Sequence, residues 1–89
     1  MSLVEKVLNR CRCIVRRDLE VGNVLSAFYT LKYEFRRVGC FITDESDSID
    51  ENTELYFVAE CDKETYRVVV DGRERRVKVV GACGVVAIV

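Results

Sequence analysis

Cysteine is the most reactive side chain in this sequence, and two of its five copies stand close together in Cys11-Arg12-Cys13. Neighbouring thiols bind soft metals or exchange disulfides, and Arg10 and Arg12 would favour the thiolate of an exposed cysteine. On a helix, however, residues two apart point to different sides. The chain has no His and no Cys-x-x-Cys spacing, so no metal site is expected here. Cys11 is read as a core residue and Cys13 as one near the surface. Cys40, Cys61 and Cys83 complete the set. An odd count leaves at least one thiol unpaired or intermolecular, and spacing alone does not dictate the connectivity.

The acidic run Asp44, Glu45, Asp47, Asp50 and Glu51 offers oxygen ligands, but it lacks the alternating acids and central Gly of a calcium loop. It reads as a solvated loop from Asp44 to Thr53. General acid–base work without His would fall to a tuned carboxylate, Lys, Tyr or Cys. Gly81 and Gly84 match neither a dinucleotide-binding nor a P-loop spacing. The expectation is a non-enzyme, with no cofactor and no small-molecule substrate evident.

Cations carry a stronger signal. Arg10, Arg12, Arg16 and Arg17 fall in one short stretch, and Arg67, Arg73, Arg75, Arg76 and Lys78 cluster near the end. Either set is a candidate phosphate-binding surface, with Tyr56 available to stack on a base. Against this, the net charge is −1, so no global field draws the chain to nucleic acid or an anionic membrane. Glu54, Glu60 and Glu74 are also expected on the same sheet face, as partners in ion pairs.

Positioning these residues requires two helices and a sheet. Ser2-Leu3-Val4-Glu5 is a capping box, and Val4, Val7, Leu8, Cys11, Ile14 and Val15 follow at helical spacing. The first helix is expected over about 3–17, with Asp18 stopping it and capping the next. Val21, Val24, Leu25, Phe28, Leu31, Phe35 and Val38 form a second apolar stripe that ends at Gly39. Residues 27–36 also admit a strand, because Tyr29, Leu31, Tyr33 and Phe35 alternate with polar residues. The caps at both ends favour helix.

Cys40 to Thr43 is a short strand candidate. From Glu54 to Val80 the apolar residues alternate, as in a half-buried antiparallel meander. Leu55, Phe57, Ala59, Cys61, Tyr66, Val68, Val70, Val77 and Val79 share the inner face. A Gly72-Arg73 turn sets Val68 opposite Val77 and Asp71 opposite Glu74, and an Asp62-Lys63-Glu64-Thr65 loop in the preceding hairpin sets Glu60 opposite Arg67. Val85, Val86, Ala87, Ile88 and Val89 are apolar on both faces, which asks for a central strand or for cover by another chain. With Tyr29 and Tyr33, which lie off the helical stripe, they form the candidate oligomer interface.

Eighty-nine residues make one domain. Many charges, no Gln and a single Met match the composition of hyperthermophile proteins, in which intracellular disulfides occur. No run reaches the ~18 apolar residues that span a bilayer, so a cytoplasmic protein is expected. The expected fold is α+β: two N-terminal helices on one face of an antiparallel sheet of four or five strands, ending in a meander. The expected function is an assembly protein that partners itself as a homo-oligomer. The alternative is a nucleic-acid-binding protein using the arginines of the first helix or the last hairpin.

Overall fold

The computed structural model describes residues 2–46 and 54–89. Two helices precede a five-stranded antiparallel meander: α1 (Leu3–Glu20), α2 (Val24–Arg37), β1 (Phe41–Glu45), β2 (Glu54–Glu60), β3 (Thr65–Asp71), β4 (Arg76–Gly81) and β5 (Gly84–Ile88). The strands lie side by side in sequence order, so β1 and β5 form the edges. Both helices cover one face of the sheet. α2 packs over β1, β2 and β3, whereas α1 packs over β4.

The capping box forms at Ser2, whose Oγ accepts the Glu5 N–H at 3.2 Å and donates to the Glu5 carboxylate. Asp18 does not stop α1. The helix runs on to Glu20, and its backbone reverses through Gly22 at a φ of 81°. That left-handed turn explains the glycine, which lies between the helices rather than inside the second one. Asn23 caps α2 in place of Asp18, accepting the Ser26 N–H at 3.3 Å. Gly39, at a φ of 95°, closes α2 as its spacing predicts. Residues 27–36 are therefore helical, and the strand alternative fails.

The inner sheet face buries Leu55, Phe57, Ala59, Tyr66, Val68, Val70, Val77 and Val79 against Val7, Leu8, Val15, Leu31 and Phe35 of the helices. Phe57 is the hub, edge-on to Phe28 and to Phe35 with ring centroids 5.7 Å away in each case. Lys32 is also buried. Its ammonium pairs with Glu45 and lies over the rings of Phe28 and Tyr29.

Two hairpin registers differ from those expected, each by two residues. Glu60 faces Thr65, and Arg67 faces Val58 rather than Glu60. The loop begins at Cys61, whose N–H donates to the Glu64 carbonyl, so Thr65 already belongs to β3. In the next hairpin Val68 faces Val79 and Val70 faces Val77. Here the Asp71 carboxylate accepts the N–H groups of Arg73 and Glu74, which builds a four-residue loop in place of a tight one. Arg75, not Gly72, takes the left-handed φ of 54°. Asp71 then faces Arg76, an opposite charge, instead of Glu74. A two-residue slip preserves side-chain parity, so the inward set is unchanged.

Asp44 and Glu45 belong to β1 rather than to an exposed loop. Asp47, Asp50 and Glu51 lie outside the described residues. β5 is an edge strand, so the central position considered for it does not occur.

Candidate functional site

Among the described residues no three His, Cys, Asp or Glu side chains gather closely enough to hold a metal ion. None of the described helices is long and apolar enough to cross a membrane. The Cys11 thiol is buried and donates to the Val7 carbonyl. Burial, then the nearby Glu34 carboxylate, push its pKa up to about 11, with Arg12 opposing. Cys13 is exposed, so the two close cysteines do not meet. Cys40 and Cys61 form a disulfide that continues the Phe41–Glu60 pairing by one position and ties β1 to β2.

Two surfaces remain, on opposite sides of the sheet. The first is the open sheet face, which the helices do not cover. Antiparallel pairing sets Val58, Arg67, Val80 and Val85 in one row and Tyr56, Val69, Lys78 and Ile88 in the next. Val58, Val69 and Val80 are half-buried, while Val85 and Ile88 are more than half exposed. Phe41 is exposed on the far edge, on this same face. Val86 is exposed as the extra residue of a bulge opposite Val79 and Val80. Ala87 turns inward beside Val79, and Val89 is buried against the chain's own core, paired with Val77. Of the expected five-residue strip, Val85, Val86 and Ile88 thus present themselves outward. Tyr29 and Tyr33 do not join them, because they lie on the outer side of α2.

The hairpin cations sit in or near this open face without forming an anion site. The Arg67 guanidinium stacks 4.1 Å from the Tyr56 ring centroid, so that ring is already occupied on one side. The Tyr56 hydroxyl donates to Asp44 at 3.3 Å. Arg76 pairs with Glu74 at 3.8 Å and faces Asp71. Arg75 turns to the other layer and donates to the Glu20 carbonyl at the end of α1. Arg73 and Lys78 are exposed.

The second surface is the outside of the helical layer. The four α1 arginines divide. Arg12 lines the groove between α1 and β5, with Arg16 one turn on. Arg10, with Arg17 two turns on, lies on the flank towards α2. Arg10 Nε donates to Glu34 at 3.2 Å, and Arg37 reaches the same carboxylate at 3.7 Å. Arg37 is shared by two hollows, one of about 560 Å³ with Lys6 and Arg10, the other of about 410 Å³ with Tyr33 and Arg36. Tyr33, 57% exposed, lines the second hollow, and Tyr29, 58% exposed, stands one turn before it on α2.

Lys6, Arg36 and Arg37 were not among the cations singled out by sequence. Their signal is a charge asymmetry that the overall total conceals. Residues 2–40 carry eight Lys and Arg against four Asp and Glu, and residues 41–89 carry six against eleven. The helical layer is therefore cationic and the sheet segment acidic. No family model, curated protein or solved structure matches this chain.

Proposed function

We propose that this chain is a non-enzymatic assembly module that works as a two-fold homo-oligomer, closed through the open face of its sheet. The observation that carries the reading is the apolar band of Val58, Val69, Val80, Val85 and Ile88, which zigzags over two adjacent rows of the uncovered face. A second copy suits this face better than an unrelated partner. Arg67, Arg76 and Lys78 share it with Asp44, Glu54, Glu60 and Asp71, so both signs of charge are present. A two-fold axis can set one copy's acids against the other's bases. Five strands at ~4.8 Å spacing and about 20 Å of strand length cover roughly 500 Å² per copy. A pair would bury on the order of 1,000 Å², the lower bound of a specific interface.

The test is solution mass by light scattering or sedimentation over a range of concentration. The native chain is expected to form a dimer, and Val85→Asp with Ile88→Asp is expected to yield a folded monomer by circular dichroism. A native chain that stays monomeric at high concentration rejects the reading. So does a dimer that the double substitution leaves intact.

A further inference from the structure

We infer that the outward face of the helical layer binds single-stranded nucleic acid, with Tyr29 and Tyr33 as a stacking platform and Lys6, Arg10, Arg36 and Arg37 as phosphate contacts. These residues meet only in three dimensions. α1 supplies Lys6 and Arg10, α2 supplies the rest, and Arg37 joins the inter-helix hollow to the hollow beside Tyr33. Glu34 neutralises one charge of the four, and it fixes Arg10 and Arg37 against each other. The cluster remains net positive on a layer that is itself cationic.

The tyrosines select the ligand. Four residues of helix rise about 6 Å, so the two rings are set in file along α2. Successive bases of an extended strand can each meet one ring while their phosphates run past the arginines. Tyr29 is steadied edge-on by Phe28 at 5.6 Å, with the Lys32 ammonium 5.5 Å from its centroid. A duplex hides its base faces and would keep only the phosphate contacts. A membrane-surface helix would need an apolar stripe of large residues here, whereas the tyrosines are interleaved with Ser26, Thr30, Arg36 and Arg37. The surface lies across the sheet from the face proposed for self-association, so either inference can fail alone.

The experiment is a fluorescence-anisotropy titration of the native chain with labelled oligothymidine at several salt concentrations, beside the matching duplex. Binding is expected to favour the single strand. The log–log salt slope should have a magnitude of about 2 to 3, as three or four neutralised phosphates require. Tyr29→Ala and Tyr33→Ala should each weaken binding about tenfold or more, and Tyr29→Phe and Tyr33→Phe should restore it. Arg36→Glu with Arg37→Glu should abolish binding, while Arg73→Glu, on the β3–β4 loop, should leave it unchanged. All are surface changes, and folding is checked by circular dichroism. Absence of binding at low salt overturns the inference. It is equally overturned by binding that Arg73→Glu removes and the tyrosine variants retain. Capture by phosphatidylserine vesicles without capture of the oligonucleotide would assign the face to a membrane instead.

Discussion

Breaking the Cys40–Cys61 bond should remove a large share of this protein's stability. The bond joins residues 21 apart in sequence. Closing a loop of that length in the unfolded chain removes entropy worth about 3 kcal/mol at room temperature. A domain of this size holds roughly 5–15 kcal/mol in all, so the loss is a substantial fraction. It corresponds to a fall in Tm of roughly 10–25 °C. The measurement compares thermal and urea melts of the oxidised chain, the reduced chain, and the Cys40→Ala, Cys61→Ala double variant. The reduced chain and the variant should agree, and reductant should not move the variant further. Alkylation of the oxidised, unfolded chain should label Cys11, Cys13 and Cys83. A variant as stable as the oxidised chain would refute the entropic argument. A variant that reductant destabilises further would show that the sulfurs pair differently.

Two more perturbations test the interior. Phe57→Ala removes the ring that Phe28 and Phe35 both meet edge-on, and should cost about 3–5 kcal/mol by urea denaturation; a cost under about 1 kcal/mol would mean the aromatic cluster does not support the core. The Cys11 thiol is held protonated in the fold, with its pKa raised from 9.0 to about 11. Its contribution is complete below pH 9 and is lost as pH rises towards 11, so Cys11→Ala should flatten the stability profile in that window. At pH 8 maleimide should modify Cys13 and Cys83 in the native state and spare Cys11 until the chain unfolds.

Side-chain parity was the most legible property of this chain. Alternation from Leu55 to Val79 assigns the inner face correctly, because a residue's side of a strand depends only on odd or even position. Register is a finer quantity. It depends on loop length, and nothing local in the sequence weighs the Asp71 carboxylate's bonds to Arg73 and Glu74 against the conformational freedom of Gly72. The helix over Tyr29 to Phe35 was legible from its ends more than from its middle; Gly39 is the stop its spacing predicts, but the cap expected at Asp18 is Asn23, because α1 runs on to Glu20. The disulfide was hidden because its partners become neighbours only once β1 is laid against β2. The division of the α1 arginines follows from helical periodicity once the buried stripe is known. The tyrosine–arginine face required the second helix as well, since Arg37 and Arg10 meet only when the helices pack.

The irregularities at the two margins of the sheet bear on how large an assembly can become. Thr43 is the unpaired extra residue in β1 and Val86 the one in β5, so each outermost strand carries its own kink. A kinked margin is a poor template for another strand, which discourages head-to-tail growth into fibres. The proposed association across the flat of the sheet would consume the sticky surface and stop at two. A chain with so much valine near its margin can thereby remain a discrete particle instead of the seed of an aggregate.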